Sequence, residues 1–182
     1  MVLTKTKTAL FTLALALGVG CASAPHAAPE QNALETEAQA ALNDMTDKDP
    51  GLQAVLDDSA GYAVFPTIGE GALVAGMMSG VGVLYDSSGS VLGNIEVRGG
   101  SVGAQIGGHS YSQLMIFRTQ DALREFQSNE TEFSTDAAAT AASAGASVRM
   151  SFEDGVAVVI DDETGLIAEA SLDGQRYDYE PI

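Results

Sequence analysis

An α+β fold built on a mainly antiparallel, glycine-rich sheet is what this sequence predicts, from three observations. Glycines crowd two apolar, strand-like runs: Gly69, Gly71, Gly76, Gly80 and Gly82, then Gly99, Gly100, Gly103, Gly107 and Gly108. Alternation with period two recurs after Gly61, whereas helical periodicity is confined to the start of the domain and two later segments. A third segment, 136–147, holds seven alanines and no large apolar side chain. Glycine weakens a strand unless another backbone or a ligand must come close, so the two runs mark a surface built for close approach.

The elements follow in order. Lys5 and Lys7 precede an apolar stretch, 9–20, that is too short to span a bilayer and has the length of a signal-peptide core. Residues 1–20 are therefore expected to be a signal peptide. The chain's single cysteine, Cys21, closes this stretch in a setting that resembles a bacterial lipobox, with Gly18 where leucine is usual. Diacylation of Cys21 is expected; cleavage near Ala24 is the rival, opposed by Pro25. Residues 21–31 are small, proline-containing and aperiodic, a tether to a domain spanning 32–182. One cysteine excludes an internal disulfide.

Leu34, Ala38, Ala41, Leu42 and Met45 form an apolar stripe on a helix over 32–45, with acids on its other faces. Asp49 and Pro50 read as the start of a short helix that turns Leu52, Val55 and Leu56 inward. Strands are expected at 62–65, ended by Pro66, and at 72–85, 91–98, 101–106 and 111–118. In the 91–98 strand Val91, Gly93, Ile95 and Val97 share one face. Thr119 caps a helix carrying Ala122, Leu123 and Phe126. The alanine segment predicts a helix that packs on the glycine surface, where Ala141→Leu would overpack by ~1–3 kcal/mol. A hairpin follows, 156–160 and 166–172 around an acidic tip at Asp161, Asp162 and Glu163, and Asp173-Gly174 turns into a last strand, 175–179.

Hydrophobic residues make up 46 % of the 182, enough for one cored domain plus an appendage. The net charge of −17 opposes nucleic acid and bulk attraction to anionic membranes. No cofactor is expected. His109 is the single histidine of the folded part, with no second histidine or cysteine to make a zinc site. The acidic turns lack the ligand spacing of a calcium loop, and Gly69-Glu70-Gly71 opens into a strand with no lysine to follow. The chain is expected not to be an enzyme; a hydrolase around His109 and Ser110 is the weakest alternative.

Residues 59–66 (SAGYAVFP), the glycine run through Tyr85, 100–108 (GSVGAQIGG) and the closing 169–177 (EASLDGQRY) together resemble the SYLF family, also called the Ysc84 or lipid-binding SYLF domain. The likeness covers about residues 33–182, four motifs in order. It implies a non-enzymatic lipid-binding protein, with anionic phospholipid or phosphoinositide as ligand; fungal members of the family also associate with actin. Eukaryotic members use a basic N-terminal helix. Here that helix has no Lys or Arg before Lys48. The expected lipid contacts are therefore the glycine surface (Gly100, Gly103, Gly107, Gly108), His109, and Arg98 and Arg118 converging on one headgroup. The full expectation is an envelope lipoprotein at the outer membrane facing the periplasm; an envelope protein–protein module without lipid is the alternative.

Overall fold

The structure is a computed structural model that describes residues 28–71, 76–101, 109–128, 150–162, 165–169 and 175–182. The expected signal peptide, Cys21, the first part of the tether, Gly103, Gly107, Gly108 and the alanine segment with Ala141 lie outside the described residues. Among the described residues, three helices and seven strands occur in the order α1 (Ala28–Lys48), α2 (Gly51–Asp57), β1 (Gly61–Gly71), β2 (Gly76–Asp86), β3 (Val91–Ser101), β4 (His109–Phe117), α3 (Gln120–Gln127), β5 (Val156–Asp162), β6 (Gly165–Glu169) and β7 (Gln175–Pro181). The strands form one antiparallel sheet ordered β6-β5-β4-β1-β2-β3-β7, which is the expected α+β class.

α1 begins at Ala28, four residues before the expected start, because Pro29 is tolerated in a first turn. It lays Ala38, Leu42 and Met45 on one face of the sheet, where Leu52 and Leu56 of α2 join Val64, Val83, Leu114, Ile116 and Val159. Asp49 accepts from the Gly51 N–H at 3.0 Å but is not the expected cap of α2: Pro50 holds the N-cap position, before the helix and not within it. β1 does not end at Pro66. It continues to Gly71 through a bulge that shifts both of its registers between Val64 and Ile68, a strand setting that tolerates proline in a central strand. A second bulge, at Leu84/Tyr85, sends Val91 to the α1 side while Gly93, Ile95 and Val97 stay on the other, which corrects their shared-face reading. Asp161 and Asp162 belong to β5, not to a hairpin tip, and Asp161 binds Lys48.

The opposite face is covered by α3, whose Thr119 Oγ1 accepts from the Ala122 N–H as expected and whose Ala122, Leu123 and Phe126 are buried. That face is deeply concave. β7 and β4 stand four places apart in the sheet, ~19 Å if it were flat, yet Gln113 donates through Nε2 to the Tyr177 hydroxyl at 2.9 Å. Tyr177 also meets the rings of Phe65 and Phe126, each at 5.7 Å.

The glycines of β2 make this possible. A Cβ at Gly82 would stand 2.6 Å from Phe65 Cδ1, and one at Gly80 2.9 Å from Ile68 Cγ1. What lies on this stretch of small residues is thus a neighbouring strand's own side chains. β7 overturns one further expectation: it does not turn back on β6 but pairs with β3 at the far edge, where Tyr179 donates to the Leu92 carbonyl at 3.0 Å.

Candidate functional site

The expected lipid contacts divide between the two ends of the sheet. Arg98 pairs across β2 to the level of Gly69, with Gly100 beyond it, and His109 enters β4 opposite Glu70. Arg118 follows Phe117, which pairs with Gly61. The eight steps from Gly61 to Gly69 span roughly 26 Å of strand. Arg98 and Arg118 therefore do not converge, and one headgroup cannot bridge them. Arg98 is paired instead with Glu96 on its own strand. His109 and Ser110 are the first two residues of β4. Among the described residues no group of three or more His, Cys, Asp or Glu is placed to hold a metal ion.

Arg118 lies instead beside a cleft of about 300 Å³ lined by Ala54, Val55, Asp58, Ser59, Met150 and Phe152. Local chain geometry builds it. Glu153 and Val156 exchange both backbone hydrogen bonds, at 2.9 and 2.8 Å, around Asp154 (φ 48°) and Gly155 (φ 82°). This is the two-residue Asp-Gly turn that favours positive φ at both positions. A Cβ at Gly155 would press on Ala122 Cβ at 3.1 Å. The turn brings Phe152 back under Arg118, whose guanidinium carbon stands 4.5 Å from the ring centroid, and the Arg118 N–H donates to the Gly155 carbonyl at 2.8 Å. Val55, Met150 and Phe152 continue the core beneath α1 and α2, so the cleft floor is apolar.

The charge state of Arg118 sets it apart. Lys48 pairs with Asp44 and Asp161, Arg98 with Glu96, Arg124 with Asp121 and Arg176 with Asp178. Among the described cations Arg118 alone has no carboxylate within 4.0 Å, in a chain holding 25 acids and eight bases. An exposed guanidinium resting on an aromatic face above an apolar floor offers one anion-binding group and an oily wall, with the Ser59 hydroxyl and the Asp58 carboxylate also in the lining. Sequence reasoning found Arg118 but missed Met150, Phe152 and the turn behind them. The Asp154-Gly155 dipeptide was the signal available.

A model of the Ysc84 family, described as "Las17-binding protein actin regulator", matches residues 98–180. The match runs from Arg98 in β3 to Glu180 in β7, so the part similar to the Ysc84 family includes Arg118, Phe152 and the strand that closes the concave face. Across a longer stretch the chain is similar to Beta cell expansion factor A of Aeromonas veronii, 25 % identical over 145 residues. That alignment covers 80 % of this chain and 55 % of the relative, so the chain spans about half the length of the curated relative it matches.

Proposed function

We propose that this chain is a non-enzymatic lipid-binding protein of the bacterial envelope, and that the cleft at Arg118 takes the anionic headgroup of a phospholipid. The observation that carries the reading is the guanidinium without an acid partner, held over Phe152 above an apolar floor. A phosphate satisfies such a guanidinium with two parallel N–H···O bonds, while Val55, Met150 and Phe152 take the first carbons beyond it. At about 300 Å³ the cleft has the size of a headgroup, at the small end of ligand sites. A net charge of −17 gives no long-range pull toward anionic lipid. A diacylated Cys21 would supply the attachment instead, as two acyl chains hold a protein stably, at the periplasmic face of the outer membrane.

Flotation with vesicles tests this, using protein that lacks residues 1–21. Binding to vesicles containing phosphatidylglycerol is expected, reduced about tenfold by Arg118→Ala, or ~1.4 kcal/mol. Equal binding by the variant would remove the cleft from the account, and no binding to any phospholipid would remove the lipid function. A second reading, protein binding, is favoured by the family's description and by the two outer strands, β6 and β7, each hydrogen-bonded on one side among the described strands. Recovery of a protein partner from membranes, with no lipid retained, would decide for it.

A further inference from the structure

A second cleft, of about 220 Å³, lies on the other side of α2, between that helix, α1 and the turn joining β2 to β3. Its chemistry differs from that of the Arg118 cleft. Apart from Asp57 the lining is uncharged, and it is dominated by amides and hydroxyls: Gln39, Asn43, Gln53, Tyr62 and Ser87. Two pairs spaced one helical turn apart fix the amides. Gln39 Nε2 donates to Asn43 Oδ1 at 3.1 Å, and Gln53 Nε2 donates to Asp57 Oδ1 at 2.8 Å.

These bonds leave several polar groups of the lining without a protein partner, four of them on the exposed side chains Gln39, Asn43, Gln53 and Ser87. Among the described residues, Asn43 Nδ2 has no acceptor, Gln39 Oε1 and Gln53 Oε1 have no donor, and the Tyr62 and Ser87 hydroxyls have no partner of either kind. Tyr62 is half-buried and stacked on Tyr85, ring centroids 5.1 Å apart, so its hydroxyl is presented on a fixed ring. Burial and the nearby Asp86 push the Tyr62 phenol upward, which keeps it a neutral donor and acceptor at physiological pH.

We propose that this cleft binds an uncharged, polyhydroxylated ring: a sugar. Hydroxyls on a pyranose both donate and accept, and they match a wall of two amide oxygens, one amide nitrogen and two hydroxyls. The volume suits one ring and not a drug-sized ligand. Asp57, with no cation in the lining, disfavours anionic sugars. Because α2 separates the clefts, with Ala54 and Val55 on one side and Gln53 and Leu56 on the other, the two bind independently.

Saturation-transfer NMR on the full chain tests the proposal, with the methyl glycosides of glucose, galactose and N-acetylglucosamine as probes and glucuronate as the charged control. Ring protons of at least one neutral glycoside receive saturation, glucuronate at least fivefold less. Asn43→Ala and Gln39→Ala, both on the exposed face of α1, reduce the signal at least fivefold, and Arg118→Ala leaves it unchanged. No transfer to any of the three glycosides overturns the proposal, as does transfer that both α1 variants leave intact. Loss on Arg118→Ala would likewise overturn it, by placing the sugar in the other cleft.

Discussion

At the scale of single residues, Gln113 shows how the concave face is held. Its side chain is 0 % exposed, its Nε2 donates to Tyr177, and its Oε1 has no hydrogen-bond partner. An orphaned buried acceptor costs ~1–3 kcal/mol, comparable to what the single bond returns. Gln113→Leu removes both at similar volume, because Tyr177 still donates to Gln175. Gln113→Glu puts a carboxylate into the same dry space. Thermal melts are expected to place the leucine variant within ~1 kcal/mol of the parent and the glutamate variant lower by ~3 kcal/mol or more. The sequence carries no mark of this residue's importance, since Ser110, Ser112 and Gln113 read alike as polar strand positions. The β2 glycines were legible as a close-approach surface. What approaches was not, because Phe65 and Ile68 come from the adjacent strand and leave no separate signature.

Among the elements, the helices were the most legible. α1 and α3 declare themselves by apolar spacing, and α3 by Thr119 as well, because both lie half-buried on a sheet and must keep a one-sided pattern. β1 was misread at Pro66, since a bulge that tolerates proline depends on partners that a local pattern does not contain. The far end of α1 is held by Lys48, between Asp44 at 2.7 Å and Asp161 at 2.7 Å. The hydrogen bond from Lys48 holds the Asp44 carboxyl below its ordinary value, and the bond to Asp161 leads those that raise Lys48.

The signs fix where the contact acts. For Asp44 the native value is depressed, so stabilisation is present above about 3.8 and is lost as pH falls through the lower native value. For Lys48 the native value is raised, so its part is present below 10.5 and is lost as pH climbs past that point. Lys48 and Asp44 are substantially exposed, which limits that pair to ~1 kcal/mol or less, whereas the Asp161 side chain is only 8 % exposed and depends more on its cation. Lys48→Met is accordingly expected to lower the melting temperature at pH 7, by more than the exposed pair with Asp44 alone would, and the part due to Asp44 shrinks as pH falls below about 3.8.

For the whole molecule, the class was readable and the strand order was not. Alternating runs and turn dipeptides identify strands. Nothing in residues 170–182 tells that the last strand travels to β3, a pairing settled by Tyr177 and Tyr179 finding room on the concave side. The Arg118 cleft was half legible for the same reason: its cation stood out by scarcity, whereas its floor is assembled from α2 and the approach to β5. Charge is a property of the entire fold. With −17 distributed over the chain and four of the five described cations already paired, unscreened repulsion opposes the compact state. Raising sodium chloride from about 10 mM to about 200 mM shortens the screening length from ~30 Å to under ~10 Å. The melting temperature is expected to rise by several degrees across that range; a fall would mean that attractive pairs outweigh the excess of acid.

The position of β7 has a consequence for how the chain reaches its native state. The final eight residues close the hollow side of the sheet, with Pro181 opposite Gly93 and Tyr177 locked to β4. Until residues 175–181 have been made, the growing polypeptide lacks this stopper and its aromatic interior stays open.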